Sequence, residues 1–271
     1  MARTVLVTGA GGNIGAKLRE HFKTLGWSTR LLDVNAHGDA EIMACDLAVW
    51  DERWVRRFEG VDAVVHLAGQ PAPWSPWSSI GPLNIDLTLN VYEAAARQGA
   101  KRLIFASSNW TVAGHRFADF RLTTDVEPYP VNPYGVSKLI GERLGRSYHD
   151  RWGLSVICFR IGYCQRGENR PGPHMGWGDW GQLMWLSNRD MCNGMERAVL
   201  ADGVGFAVLN LMSDNPGMRW DIETTKRVIG YAPRDGQAAV VNAELQAAQD
   251  TARLTREMVE RLTRLDQAQR W

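Results

Sequence analysis

Apolar positions arrive in short runs, and longer amphipathic stretches separate them. Thr4-Val5-Leu6-Val7 is a short apolar run that leads into glycines. Residues 14–25 then follow the 3.6-residue period of a helix, with Ile14, Leu18, Phe22 and Leu25 on one side. Strand-like runs recur at residues 28–33, 63–67, 102–106 and 155–160 (SVICFR). Helical stretches such as residues 84–98 lie between them. Strand and helix in alternation predict βαβ units and a parallel sheet covered on both faces, an α/β protein.

The last third reads differently. Residues 166–181 (RGENRPGPHMGWGDWG) are dense in Gly, Pro and Trp, which predicts an irregular loop over a site. Residues 242–269 carry a long helical pattern, with Leu245, Ala248, Ala252, Thr255, Met258, Leu262 and Leu265 at spacings of three and four. Such a helix can pack on its parent domain or on a partner subunit, and the pattern leaves both open.

The chain has 271 residues, 45% of them hydrophobic, enough for one large α/β core with a small C-terminal lobe. The formal net charge of +1, with both signs mixed along the chain, gives no reason to expect nucleic acid or an anionic membrane as partner. No apolar run approaches the roughly 20 residues of a membrane span. The first residues, MARTVLVTGA, enter a strand at once and leave no room for a signal peptide. The four cysteines (Cys45, Cys158, Cys164, Cys192) form no C-x-x-C pair and have no His at zinc-finger spacing, so reduced thiols, no metal site and a cytoplasmic location are expected. Twelve tryptophans are many for this length. Trp74, Trp77, Trp110, Trp177, Trp180 and Trp185 fall in segments that read as loops.

Between the first strand and first helix lies Thr8-Gly9-Ala10-Gly11-Gly12-Asn13-Ile14-Gly15. In G-x-x-G-x-x-G, Gly9 permits the tight turn and Gly12 lets backbone approach a pyrophosphate. Gly15 lets helix and strand pack closely. The helix N-terminus then turns its N–H groups toward the phosphates. Asp33, eighteen residues past Gly15, ends the second strand, with no Arg directly after it. A carboxylate there accepts from ribose hydroxyls and repels a 2′-phosphate, which predicts NAD over NADP. Asp46-Leu47 either borders the adenine or caps a turn.

Tyr134 and Lys138 stand four apart in Pro133-Tyr134-Gly135-Val136-Ser137-Lys138, on one face of a helix. A nearby ammonium stabilises a phenolate and lowers the Tyr pKa from about 10, giving a base for an alcohol proton. The pair Ser107-Ser108 lies between the glycine loop and Tyr134.

These stretches, with Asp46-Leu47, His66-Leu67-Ala68-Gly69 and Phe105-Ala106-Ser107-Ser108-Asn109, make the chain resemble the extended short-chain dehydrogenase/reductase family, the NAD-dependent epimerase/dehydratase superfamily. The resemblance covers nearly the whole chain, down to Gly230-Tyr231-Ala232-Pro233-Arg234-Asp235. It implies a doubly wound parallel sheet (Rossmann), a bound nicotinamide dinucleotide and the catalytic set Ser108, Tyr134 and Lys138. Gly9, Gly12, Asn13, Ile14, Gly15, Asp33, Asp46, Leu47, Leu67, Ala68, Tyr134, Lys138 and Ile161 are then expected to hold NAD. Residues 1–165 are expected as the dinucleotide-binding core. Residues 166–241 are expected as a covering loop and small lobe interleaved with it, and residues 242–271 as the C-terminal helix.

Within that family the chain is similar to NAD-dependent uronate dehydrogenases, which share F-A-S-S-N, Y-G-V-S-K and the R-I-G of Arg160-Ile161-Gly162. The similarity implies oxidation of the anomeric carbon of a free hexose-type sugar to its lactone, with Asn109 beside the substrate. Three positions depart from that pattern. Trp110 stands where those enzymes carry His, Tyr163 where they carry a substrate-binding Ser, and Pro71 where they carry another. The expected substrate residues are Ser108, Asn109, Trp110, Tyr163, Arg170 and Trp74, with Trp77, Trp177 and Trp180 as further stacking candidates. Arg170, flanked by Asn169 and near His174, is expected to grip an anionic C6 group (uronate, sulfonate or phosphate). Arg116 and Arg166 stand second to it. Asn84 either lines the cofactor site or caps a helix. Two alternatives remain: a nucleotide-sugar epimerase or dehydratase of the same family, and a non-catalytic NAD sensor. The sugar is the expected partner, together with further copies of the chain in a homo-oligomer.

Overall fold

Seven strands form one sheet, every neighbouring pair parallel, in the order β3-β2-β1-β4-β5-β6-β7. They are β1 (Thr4–Thr8), β2 (Ser28–Asp33), β3 (Ile42–Ala44), β4 (Ala63–His66), β5 (Arg102–Ser108), β6 (Ser155–Ile161) and β7 (Phe206–Leu211). Around them lie α1 (Asn13–Thr24), α2 (Glu52–Val55), α3 (Trp77–Ile80), α4 (Leu87–Arg97) and α5 (Pro133–Trp152). Past β6 come α6 (Asp179–Leu183), α7 (Asn188–Leu200), α8 (Glu223–Ile229) and α9 (Ala243–Gln269). The computed structural model describes residues 2–175 and 178–269.

Strand alternation builds two cores. Val5, Val7, Ile104 and Ile157 face one layer with Leu18 and Phe22 of α1 and Met191, Met195 and Ala198 of α7. Leu6, Leu103, Phe105, Val156 and Cys158 face the other, with Trp54 of α2 and Val91, Tyr92 and Ala95 of α4. Strands buried on both faces read as continuous apolar runs, and that is why the sequence shows them so plainly. The strand order is the doubly wound one, with its topological switch point between β1 and β4.

The helical stretch read at residues 84–98 is divided: a π-type turn covers Gly81–Asp86, and α4 follows it. Asn84 is buried in that turn. Its side chain accepts from the Gln70 N–H at 2.6 Å and donates to Ser137 Oγ at 3.1 Å, so it braces the loop after β4 against α5. β7 was not foreseen as a strand and extends the sheet beyond β6. Residues 166–175 are irregular apart from one short turn at Pro173–Met175.

Candidate active site

The carboxyl ends of β1, β2, β4, β5 and β6 open on one cavity of about 1070 Å³, at the upper end for small-molecule sites. In open parallel sheets ligands bind at this edge, beside the switch point. The glycine loop follows β1. Gly9 has φ +69°, and a Cβ there would stand 2.8 Å from the Ala68 nitrogen; one on Gly15 would stand 2.3 Å from the Gly9 carbonyl oxygen. Both sites therefore exclude a side chain. Asp33 at the end of β2 accepts from the Gly11 N–H at 2.9 Å and lines the cavity. Asp46 and Leu47 line it too, and Asp46 also accepts from the Ala48 N–H at 2.9 Å, as a turn cap does. Gly9, Gly12, Asn13, Ile14, Gly15, Leu67, Ala68 and Ile161 complete the predicted cofactor wall, all on the cavity surface. The Asn13 side chain donates to the Cys164 carbonyl at 2.9 Å and ties the loop to the end of β6.

β5 delivers Ser108 and α5 delivers Tyr134 and Lys138. The Asn132 side chain caps α5 by accepting from the Gly135 N–H at 2.7 Å, and Pro133 occupies the first turn. Tyr134 thus sits one residue into the helix and Lys138 one turn later. Glycines on the same face bring α5 hard against the sheet. A Cβ on Gly141 would lie 2.3 Å from the Phe105 ring, and one on Gly145 would lie 2.7 Å from Tyr92 Oη. That close approach brings Tyr134 to the stretch of cavity wall that Ser108 also lines. Lys138 Nζ stands 5.2 Å from the Phe105 ring centroid and 5.5 Å from that of Tyr134. All three residues line the cavity.

Burial governs their protonation. It pushes the Tyr134 hydroxyl up to about 12, against the lowering effect of the Ser108 hydrogen bond, and pushes Lys138 down to about 8. The expected drop in the Tyr134 pKa is therefore reversed in the protein alone. Lys138 is buried and Tyr134 half-buried, so each charged form loses hydration, and a lysine at this distance does not offset the loss. His66 joins Thr8 Oγ1 at 2.8 Å and Thr88 Oγ1 at 3.2 Å, and burial pushes it down to about 3, so it is a neutral imidazole behind the site.

A buried ion pair, absent from the sequence reading, lies beneath Ser108. Arg160 donates from Nε and Nη2 to the two oxygens of Glu142, each at 2.9 Å, and Ser107 Oγ donates to Glu142 at 2.6 Å. This fork pins β5, β6 and α5 together. An Arg inside the apolar run SVICFR was its one visible signal.

The far end of the cavity is aromatic and cationic. Trp74 and Trp110 meet edge to face at 5.5 Å, and Tyr163 and Trp180 also line the wall. Asn109 donates to the Ile161 carbonyl at 3.1 Å, while its buried Oδ1 has no partner among the described residues. A buried acceptor without a donor fits a ligand hydroxyl. Arg116 and Arg166 line this end.

Arg170 does not line the cavity. It is exposed and paired with Glu168 at 3.2 Å. The cause is Asn169, which is buried and holds a left-handed backbone (φ 49°). Its side chain accepts from the Gln165 N–H at 2.9 Å and donates to the Leu186 carbonyl at 2.8 Å, and that anchor turns the next residue outward. His174 binds Gln165 at 2.8 Å. Trp77 is half exposed and off the cavity, and Trp185 is buried against Asn169. Trp177 lies outside the described residues. Arg256 of α9 lines the cavity, and the sequence reading did not assign it. Among the described residues no group of three or more His, Cys, Asp or Glu could hold a metal.

The doubly wound sheet, the excluded side chains at Gly9 and Gly15 and the cavity-lining Asp33 define a dinucleotide-binding protein, and this wall fits NAD. The model of the NAD dependent epimerase/dehydratase family matches residues 5–165. An NAD-dependent glucose-6-phosphate dehydrogenase from Haloferax volcanii is 37% identical over 259 residues, which span 88% of this chain and 95% of that protein. An L-arabinose 1-dehydrogenase (NAD(P)(+)) from the same organism is 37% identical over 89% of this chain and all of its own. The crystal structure of a mutant uronate dehydrogenase from Agrobacterium tumefaciens complexed with NAD superposes with a TM-score of 0.74 at 32% identity, over 87% of this chain and 86% of that one. The chain belongs to the NAD dependent epimerase/dehydratase family, and NAD is its cofactor.

Proposed function

We propose that the protein oxidises the anomeric carbon of a free hexose-type sugar bearing an anionic C6 group, a uronate, sulfonate or phosphate, to the aldonolactone. It is an NAD-dependent oxidoreductase acting on a sugar CH–OH. The observation that carries the reading is the convergence of Ser108, Tyr134 and Lys138 on the cavity that the glycine loop also lines. Ser108 holds the C1 hydroxyl oxygen by a hydrogen bond. Tyr134 Oη takes its proton, the hydride leaves C1, and the C1–O bond becomes the lactone carbonyl. Bound NAD supplies the hydride acceptor. Lys138, largely protonated at neutral pH with its pKa near 8, places positive charge beside the developing phenolate.

The anionic group is supported by charge. Arg116, Arg166 and Arg256 line the sugar end, whereas the described carboxylates on the cavity wall, Asp33 and Asp46, stand at the cofactor end. Trp74 and Trp110 offer ring faces and edges to the apolar side of a sugar. NADH formation with free aldoses, L-arabinose, uronates and C6-anionic hexoses tests the reading. A C6-anionic hexose is expected to give the highest kcat/KM; preference for a neutral aldose refutes the anionic assignment.

The reading extends to a cytoplasmic homo-oligomer. Leu254, Met258 and Leu262 of α9 face outward, 58–63% exposed, and suit a second copy of the chain. Removal of residues 242–271 is expected to lower the mass in solution, and an unchanged mass rejects α9 as the contact. The four cysteines are free, as a reducing compartment keeps them; recovery of the native protein outside the cytoplasm on cell fractionation would count against that placement. Among the described residues no helix is long and apolar enough to cross a membrane.

A further inference from the structure

α9 does not lay its apolar stripe on the body. Its half-buried face is Leu245, Gln249, Ala252, Arg256 and Glu260, whereas Ala248, Thr255, Met258 and Leu262 of the predicted stripe are exposed. The Leu265 side chain lies outside those described. Polar contacts therefore hold the helix. At its start, Gln182 and the Val240 backbone exchange two hydrogen bonds, at 2.8 and 3.0 Å. Nearly two turns into α9, Gln249 Oε1 accepts from the Asp179 N–H at 2.8 Å, over Gly178, where a Cβ would stand 2.1 Å from that oxygen. Farther along, the Arg256 guanidinium stacks 5.1 Å from the Tyr129 ring centroid and donates to Tyr129 Oη. Tyr129 belongs to the opposite rim: its N–H donates to the Thr111 carbonyl at 2.8 Å, and its own carbonyl accepts from the Gly114 N–H at 2.8 Å. α9 thus spans from the covering segment at 178–182 to the wall that follows Ser108-Asn109-Trp110.

Arg256 is the residue of α9 that reaches the cavity surface, among those described. Its Nε donates to Glu260 at 2.6 Å and Nη2 serves Tyr129; Nη1 has no hydrogen-bond partner among the described residues. A guanidinium carries five N–H donors in a planar fork, so donors remain for an anion on the cavity side. Tyr129 and Glu260 hold the group in one orientation, which reduces the entropy lost on binding.

We propose that Arg256, carried across the cavity mouth by the C-terminal helix, is a specificity-determining residue whose guanidinium takes the anionic C6 group of the sugar. The proposal rests on the C6-anionic substrate reading above. It assigns to the tail the charge recognition that the sequence had placed on Arg170, which faces solvent. Its partner class is a carboxylate, sulfonate or phosphate on a free hexose.

The test compares wild type, Arg256→Gln, Arg256→Lys and Arg170→Gln, each full length and checked for folding by its melting curve. Each is assayed with glucuronate and glucose 6-phosphate against glucose. For Arg256→Gln the ratio of kcat/KM, anionic over neutral, is expected to fall about tenfold to a hundredfold, the effect of one charged hydrogen-bonded contact. The fall should lie in KM, with Arg256→Lys partly restored and Arg170→Gln retaining the ratio. An unchanged ratio in Arg256→Gln, or an equal loss on glucose, overturns the proposal. If wild type itself shows no preference for an anionic sugar, the substrate reading falls, and this inference with it. A wild-type preference that survives Arg256→Gln overturns only the assignment to Arg256.

Discussion

Lys138 is buried and Tyr134 half-buried, and loss of hydration moves each toward its neutral form, Tyr134 to about 12 and Lys138 to about 8. At neutral pH the protein alone therefore keeps Tyr134 as a phenol. The Ser108 hydrogen bond and the Lys138 charge favour the phenolate, and a positive charge added at the cofactor site acts in the same direction. Tyr134→Phe removes the proton acceptor and leaves the ring in place. It is expected to cut kcat by about 10²–10⁴ with NAD affinity nearly unchanged, read by single-turnover kinetics and by binding titration. Turnover near wild type in that variant would remove Tyr134 from the chemistry. At this scale the residues that converge on the cavity were legible because each belongs to a local motif beside a strand end. Arg170 and Arg256 were not. The first is turned outward by the buried side chain of Asn169, and the second comes from a helix more than a hundred residues beyond Tyr134.

α5 is the element that converts sequence spacing into site geometry. Its buried face runs Gly135, Ser137, Lys138, Gly141, Glu142 and Gly145, a glycine-lined surface with little apolar packing of its own. The helix rests on Phe105 and Tyr92 at a separation that a single methyl group would violate. Gly141→Ala is expected to lower stability by about 1–3 kcal/mol, the usual cost of overpacking, and to depress kcat because Tyr134 and Lys138 shift with the helix. The denaturant midpoint and kcat should fall together; a midpoint and kcat both like wild type would show that α5 has slack. Strands were readable as elements where both faces are buried and the run is apolar throughout. β7 was missed because Asn210 interrupts its run. That side chain is buried, and it donates to the carbonyls of Leu122 and Asp221 at 2.9 and 3.1 Å, partners that only the folded chain supplies. The tail helix was legible as a helix from its period, but not its orientation, because polar contacts rather than the apolar stripe fix it.

Over the whole molecule the doubly wound sheet divides the work. The ends of β1 and β2 form the wall with the glycine loop and Asp33, the ends of β5 and β6 with α5 place Ser108, Tyr134 and Lys138, and the segments after β6 close the far end. Asp33 and Asp46 at one end and Arg116, Arg166 and Arg256 at the other give the cavity a polarity. The central claim is that the hydride leaves the anomeric carbon. A C6-anionic hexose carrying deuterium at C1 tests it most directly, with the reduced cofactor and the sugar product examined by mass spectrometry. Transfer of that deuterium to the nicotinamide with formation of the lactone is the expected result. Deuterium retained in the sugar while NADH accumulates, or a rearranged sugar with no net NADH, would contradict it.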